Sequence, residues 1–337
     1  MKTFRAKATK CLHTATVYII VASLLFLHKI PTVSAEERLG VRDVIREGFY
    51  GFCESIDISE YKVSKADLSF LFSSIIKDDP YLFFVDTTMA YSFEPGGRVL
   101  ILRPSYKMRG EEVFEAWEYC REWVRMLARE AIEYESEVQR ALYLHNRICQ
   151  FTEYDKTLES DNIYSLIDSG RGTCQAYTLA YIATLRECGI EAHYVASDTI
   201  EHIWNYVMID GEWYHADLTW DDSASPYMGE ISQRHFLLSD KVAEERGHRD
   251  WYSFFVVDCE SEKYVDLDFS DSFKPLHIIG DVDHSGGIDL ADILYLRRLL
   301  SVRDQRGLCM ICADSDENGA VDFDDAGYLR KKLLGAD

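Results

Sequence analysis

Three residue types that together can make an activated thiol fall within one stretch of this chain. Cys174 sits in Gly170-Arg-Gly-Thr-Cys174-Gln-Ala-Tyr, His202 opens His202-Ile-Trp-Asn-Tyr-Val-Met-Ile, and Asp217 sits in Trp213-Tyr-His-Ala-Asp217-Leu-Thr-Trp-Asp-Asp. A thiolate attacks carbonyl carbon, an imidazole carries the proton, and a carboxylate holds that imidazole in one orientation. The chemistry such a set supports is acyl transfer from an amide or ester through a thioester.

The elements that must position these groups are legible around them. Gly170 and Gly172 interrupt the chain before an apolar run over 176–185 that ends near Gly189, so Cys174 is expected in the first turn of a helix. A helix N-terminus favours negative charge and therefore the thiolate. Residues 203–209 and 212–218 flank Asp210-Gly211, a two-residue hairpin signal. That turn pairs Ile209 with Glu212, Trp204 with Asp217 and His202 with Thr219. His202 and Asp217 are then diagonal neighbours on one face of the ribbon, about 7–8 Å apart at the backbone and within side-chain hydrogen-bonding reach. A three-residue turn would shift the register and put them on opposite faces. For the oxyanion, the backbone N–H of Cys174 is the natural donor, with Gln175 or Trp204 as a second.

A second chemistry lies in the last sixty residues. Asp281-Val-Asp-His-Ser-Gly-Gly-Ile-Asp-Leu-Ala-Asp292 recurs 33 residues later as Asp314-Ser-Asp-Glu-Asn-Gly-Ala-Val-Asp-Phe-Asp-Asp325. Oxygen-bearing residues stand at loop positions 1, 3, 5, 9 and 12 with Gly at position 6, the pattern by which a twelve-residue loop wraps Ca2+. The expected ligands are Asp281, Asp283, Ser285, Gly287, Asp289 and Asp292 in the first loop. In the second they are Asp314, Asp316, Asn318, Ala320, Asp322 and Asp325, with Gly287 and Ala320 offering backbone carbonyls. Two Ca2+ ions are implied, and no cofactor is implied for the thiol chemistry. The repeat continues through Tyr295, Leu296, Arg297 and Arg298 into Tyr328, Leu329, Arg330 and Lys331, so one unit is duplicated. Pro275 leaves no room for a helix before the first loop, and each loop is expected to be followed by a helix only.

The two regions resemble two families. Gly172-Thr-Cys174-Gln-Ala-Tyr followed by His202-Ile-Trp-Asn-Tyr-Val-Met-Ile-Asp-Gly-Glu-Trp-Tyr-His-Ala-Asp217-Leu-Thr-Trp-Asp-Asp is similar to the bacterial branch of the transglutaminase-like superfamily. The likeness extends upstream to His145 and Tyr154-Asp155 and downstream to His235-Phe-Leu-Leu-Ser-Asp240, and departs at Ala176 and Ile203, where Gly and Ala are usual. It implies an α+β, papain-like core with Cys174 as nucleophile, His202 as base and Asp217 as orienting carboxylate. Residues 279–334 resemble dockerins, calcium-dependent modules that plug enzymes into cohesin domains of cellulosome scaffolds. That likeness implies a small all-α module contacting cohesin through Leu290, Ala291, Arg297 and Arg298 and through Phe323, Asp324, Arg330 and Lys331. The Ser-Thr pair common at positions 10 and 11 of dockerins is absent here.

Outside these regions the sequence speaks mainly of organisation. Lys2, Arg5, Lys7 and Lys10 precede an apolar run over 17–27, and Val33-Ser34-Ala35 gives a small-x-small cleavage pattern before Glu36, the marks of a secretory signal peptide over 1–35. The run is too short for a comfortable membrane span. Residues 1–35 hold five basic residues and no acids, so their removal moves the formal net charge from −22 to −27, which argues against nucleic acid and anionic membrane as partners. Eight cysteines remain, an even number that becomes odd once one is a working thiolate; scattered spare thiols suit buried packing or a reducing niche. Cys309-Met-Ile-Cys312 reads as a local disulfide or two packed thiols.

The expected domains are a signal peptide (1–35), an N-terminal subdomain of helices and strands (36–135), a catalytic core (136–265), a linker (266–278) and the calcium module (279–337). Within the subdomain a helix is expected over 65–77 capped by Ser64, strands at Tyr81-Leu-Phe-Phe-Val and Val99-Leu-Ile-Leu around the Pro95-Gly96-Gly97 turn, and a helix over 111–131; a further helix over 137–151 is expected at the start of the core. The function expected is a secreted, scaffold-associated cysteine enzyme cleaving amide bonds of a protein or peptide. The alternatives are a protein cross-linking transglutaminase and a catalytically silent binding module carried by a scaffold for plant polysaccharide degradation. No paired-carboxylate site of a glycoside hydrolase stands out.

Overall fold

A computed structural model of the chain describes residues 18–20, 35–223, 231–267, 279–282, 287–301 and 310–335. Residues 1–76 with 82–113 form one compact unit, and residues 77–81 with 114–337 form another.

The first unit contains β1 (Tyr18–Ile20), α1 (Ala35–Tyr50), β2 (Ile56–Asp57), most of α2 (Lys65–Asp78), β3 (Val85–Phe93) and β4 (Val99–Tyr106), in an antiparallel sheet ordered β1-β3-β4-β2. Its core is Val41, Ile45, Phe49, Leu68, Phe72 and Ile75 from the two helices against Met89, Val99 and Leu102 of the sheet. Ser64 begins α2 by accepting the N–H of Asp67 (3.2 Å). The strand expected at Tyr81 starts instead at Val85. The Asp79 carboxylate accepts the Tyr81 N–H (3.1 Å), and the Val85 N–H bonds back to the Leu82 carbonyl, so Tyr81-Leu-Phe-Phe is a turn in which Leu82, Phe83 and Phe84 are buried. A short apolar run carries no periodicity to separate those two outcomes. The rest of the expected signal peptide lies outside the described residues.

The second unit begins with α3 (Glu111–Ala131) and α4 (Glu137–Phe151), the latter opened by a capping box between Ser136 and Gln139. Then follow β5 (Glu153–Tyr154), α5 (Ile163–Ser169), β6 (Arg171–Gly172), α6 (Cys174–Glu187), β7 (Ala192–Ser197), β8 (His202–Ile209), β9 (Glu212–Ala216), α7 (Leu218–Ser223) and α8 (Asp240–Glu245). Strands β7, β8 and β9 form an antiparallel meander with Ile209 opposite Glu212 and Asn205 opposite Ala216. The two-residue turn at Asp210-Gly211, both at positive φ (53° and 82°), sets that register.

Helix α6 is the pivot. Every residue from Ala176 to Leu185 is buried, so it is covered on all sides. Its polar side chains are satisfied from neighbouring elements: Tyr181 donates to the Ala141 carbonyl (2.9 Å) and Tyr177 to that of Thr152 (3.0 Å). Two bonds fasten it to β8 one turn past Cys174: Thr178 Oγ1 donates to the Ile203 carbonyl (3.3 Å), and Asn205 Nδ2 donates to the Thr178 carbonyl (3.1 Å). The helix N-terminus is thereby held opposite the start of β8.

The C-terminal part contains α9 (Leu290–Ser301), α10 (Met310–Ala313) and α11 (Phe323–Leu333) around Val282, Ile293, Leu296, Ala313, Ala326 and Leu329. Ile293 and Ala326, like Leu296 and Leu329, are 33 residues apart, so the sequence repeat is also a packing repeat. The expected linker lies almost wholly outside the described residues, as does Cys309.

The bend into α6 leaves no room for a side chain at Gly172. An added Cβ would lie 2.9 Å from Leu166 Cδ1 and 3.1 Å from the Ala176 Cβ. Gly172→Ala should destabilise the protein by about 1–3 kcal/mol, measured as a lower urea midpoint with an unchanged slope.

Candidate active site

Cys174 is half-buried at the first residue of α6, so its sulfur is both shielded and reachable. His202 opens β8, and its ring Nε2 lies 2.7 Å from Oδ2 of Asp217, the residue between β9 and α7. Cys174 acts on the same ring, helping with Asp217 to raise its pKa. The three groups expected from the sequence to work together therefore meet, in the order thiol, imidazole, carboxylate.

Asp217 is fixed from several directions. Its backbone N–H donates to the His235 carbonyl (2.9 Å), its Oδ1 accepts the Trp220 N–H (3.1 Å), and its Oδ2 accepts a second ring nitrogen, Nε2 of His248 (2.9 Å). Burial pushes the Asp217 carboxyl up, but the charge and hydrogen bond of His202 and the bond from His248 more than offset this and hold it below the usual carboxylate range. For His202 the largest effect is burial, which pulls its pKa down; the Asp217 carboxylate and then Cys174 overcome it and raise the value to about 10. A cationic imidazole beside the sulfur is the partner a thiolate requires.

Aromatic rings define the walls. The His202 ring lies nearly parallel to Trp220 (5.0 Å, 8°) and to Trp204 (5.8 Å, 17°). Of the two side chains expected as oxyanion donors, Trp204 spends its one N–H on His215 Nδ1 (2.8 Å), and Gln175 Nε2 donates one of its two N–H groups to the Asp161 carbonyl (3.0 Å). The backbone N–H of Cys174, in the unpaired first turn of α6, remains as a donor.

Other groups at the site carry no signal in the sequence, or only that of the family likeness. His248 follows α8 in a loop without a motif. The Lys77 amine, lowered by burial and raised in turn by Asp198 and Cys174, sits near the thiol and lies 3.5 Å from the Tyr252 hydroxyl. Tyr154, whose phenol is raised by burial and then by Cys174, flanks the same sulfur. His145 lies behind the site in a fully buried pair with Asp221 (3.1 Å), which also accepts the His235 N–H (2.9 Å) and so anchors the segment that holds Asp217.

Residues 125–218 match the model of the transglutaminase-like superfamily. Cys174, His202 and Asp217 all lie inside this transglutaminase-like region. Among solved structures, the chain is similar to a crystal structure of a TGase, at 14% identity and a TM-score of 0.30, over 41% of this chain and 46% of that one. It is also similar to a candidate cysteine protease from Cytophaga hutchinsonii, at 12% identity and a TM-score of 0.27, over 50% of this chain and 71% of that one. The chain thus spans just under half the length of the TGase. No curated protein matches it.

The second acidic loop forms a separate cluster. Carboxylate oxygens of Asp314, Asp316 and Asp325 lie within 4.8 Å of one another. Asp314 accepts the N–H groups of Asn318 (3.0 Å) and Gly319 (2.9 Å), and Gly319 takes the positive φ (86°) that the turn demands. Three carboxylates this close repel one another, and a hard cation relieves that repulsion, so the donor set fits Ca2+. The last Asp of each loop works alike: Asp292 accepts the N–H groups of Val282 (2.6 Å) and Asp289 (2.7 Å), and Asp325 those of Ser315 (2.6 Å) and Asp322 (2.8 Å). Asp283 and Ser285 of the first loop lie outside the described residues, whereas Asp281 is buried and Gly287 exposed. Leu290, Ala291, Arg297, Arg298, Phe323, Asp324, Arg330 and Lys331 are all exposed.

The two perturbed groups set the pH window of the His202–Asp217 pair. A depressed carboxyl contributes stability above its ordinary value of 3.8 and loses it as pH falls. A raised imidazole contributes fully below its ordinary value of 6.5 and loses it as pH rises toward about 10. Urea midpoints of the wild type should fall on both sides of that window, and Asp217→Asn should flatten the dependence.

Proposed function

We propose that this protein is a cysteine acyl-transfer enzyme that cleaves amide bonds of proteins or peptides. The observation that carries this reading is the His202–Asp217 bond (2.7 Å) on an imidazole that Cys174, at the start of α6, also helps to keep protonated. The Cys174 thiolate attacks the amide carbonyl carbon, and the backbone N–H of Cys174 receives the developing oxyanion. His202 gives its proton to the leaving amine as the C–N bond breaks, leaving a thioester on the sulfur. A water molecule then attacks, His202 takes its proton, and the sulfur departs with the carboxylic acid product released. Asp217 keeps the imidazolium aligned through both steps and is not itself protonated. The arrival of a lysine amine in place of water would give an isopeptide bond and a cross-linking enzyme.

The C-terminal module is proposed to be a dockerin that holds two Ca2+ ions and attaches the enzyme to a cohesin-bearing scaffold outside the cell. Its support is the duplicated loop, the converging carboxylates of Asp314, Asp316 and Asp325, and the exposure of both sets of expected contact residues. The bound cation would neutralise the loop carboxylates and so stabilise the module. Secretion rests on the basic, apolar and small-residue pattern of residues 1–35, and cleavage before Glu36 would remove β1.

Incubation of wild type and Cys174→Ala with casein and a labelled primary amine should give new peptides from the wild type only. Incorporation of the amine without new peptides would make the enzyme a cross-linker, and no product from either protein would favour a silent binding module. Hydrolysis should persist into alkaline pH and decline only as pH rises toward about 10, where His202 loses the proton it donates to the leaving amine. Excess chelator should unfold the C-terminal module and abolish cohesin binding while hydrolysis continues; cohesin binding that survives the chelator would contradict the dockerin assignment.

A further inference from the structure

The carboxylate of Asp217 serves two histidines through one atom. Oδ2 lies 2.7 Å from Nε2 of His202 and 2.9 Å from Nε2 of His248. An ionised carboxylate only accepts, so each of these nitrogens carries a proton and donates. His202 faces the thiol, whereas His248 approaches from the interior and is fully buried.

The same three residues have the composition of a metal site, and the distances decide between the two arrangements. Ligands of a tetrahedral Zn2+ at about 2.0–2.1 Å stand roughly 3.3 Å apart. Separations of 2.7 and 2.9 Å leave no central space for a cation. Hydrogen bonding accounts for the cluster.

We propose that His248 is a positioning residue for the acyl-transfer site: it holds Oδ2 of Asp217 from the core side and so fixes the direction in which His202 presents its ring to Cys174. This rests on the triad reading of the preceding subsection. Rotation of an aspartate carboxylate is soft, so its direction has to be set by its partners. Trp220 N–H holds Oδ1 at 3.1 Å, and His248 on Oδ2 adds a second donor, an anchor against rotation of the whole group that is independent of the moving His202 ring.

His248 is built to be that donor. Its backbone N–H and its Nδ1 both face the Ala243 carbonyl (3.0 and 3.3 Å), which ties the ring to the last turns of α8. The ring packs against Trp220 (4.3 Å) and Trp204 (4.6 Å), the two indoles that lie parallel to His202. His202 and His248 thus share one carboxylate and one pair of aromatic walls.

Nitrogen-15 NMR of the histidine rings in the wild-type protein tests the contact directly, because it needs no substitution. A protonated Nε2 on both His202 and His248 is expected, and an unprotonated Nε2 on His248 would overturn the proposal. The consequence for the thiol is read by iodoacetamide alkylation followed by peptide mass spectrometry, with the exposed Cys53 as internal reference. His248→Phe keeps an aromatic ring between the indoles and removes the Nε2 donor; Cys174 should be alkylated roughly 10–100-fold more slowly relative to Cys53. In an Asp217→Asn background the same change should have no further effect, since the two act in series. Wild-type alkylation of Cys174 in folded His248→Phe, or additive effects of the two substitutions, would overturn the positioning role. If the Phe variant does not fold, His248→Met is measured with the same two outcomes. A wild-type Cys174 no more reactive than Cys53 would instead sink the triad reading, and this proposal with it.

Discussion

The whole site turns on one buried carboxylate. Asp217 has almost no contact with water, and a charge in that position is tolerable only when donors surround it. The chain supplies three, the ring nitrogens of His202 and His248 and the backbone N–H of Trp220, while the backbone N–H of Asp217 is itself pinned to the His235 carbonyl. Breaking a buried ion pair by deleting one partner typically costs about 3–5 kcal/mol. The same interaction that keeps the fold intact therefore keeps His202 cationic beside the thiol. Stability and chemistry are served by one set of hydrogen bonds.

Everything around Asp217 converts that local arrangement into a fixed distance to Cys174. Helix α6 is buried on all sides, so it cannot slide without opening the core. Thr178 and Asn205 lock it to β8 between the thiol and the imidazole. The Asp210-Gly211 turn then brings β9 back in the register that sets Asp217 beside His202. Three elements far apart in character, a helix start, a strand start and a strand end, converge because each is held by contacts that do not involve the reacting atoms.

Most of this was legible in the sequence because it rests on local rules. Helices over 111–131 and 137–151 follow apolar periodicity, and the hairpin register follows from a two-residue turn that admits positive φ at both positions. Placement of Cys174 at a helix start follows from the glycines before it. What could not be read is long-range and carried by single residues. His248 stands 31 residues beyond Asp217 in a loop, with nothing in its neighbours to show which way its ring points. Lys77 belongs to the last turn of a helix read only as packing. The Trp204 side chain looked available because sequence shows a donor but not the acceptor that already holds it. Tyr81-Leu-Phe-Phe failed for a different reason, since an apolar run of that length suits a buried turn as well as a strand.

The measurement that bears most directly on this account is an NMR titration of the His202 ring in the wild type and in Asp217→Asn. His202 should titrate far above the ordinary imidazole value of 6.5, toward about 10, and its midpoint should fall when Asp217 loses its charge. A His202 that titrates near 6.5 in both proteins would show that the carboxylate does not sustain the imidazolium.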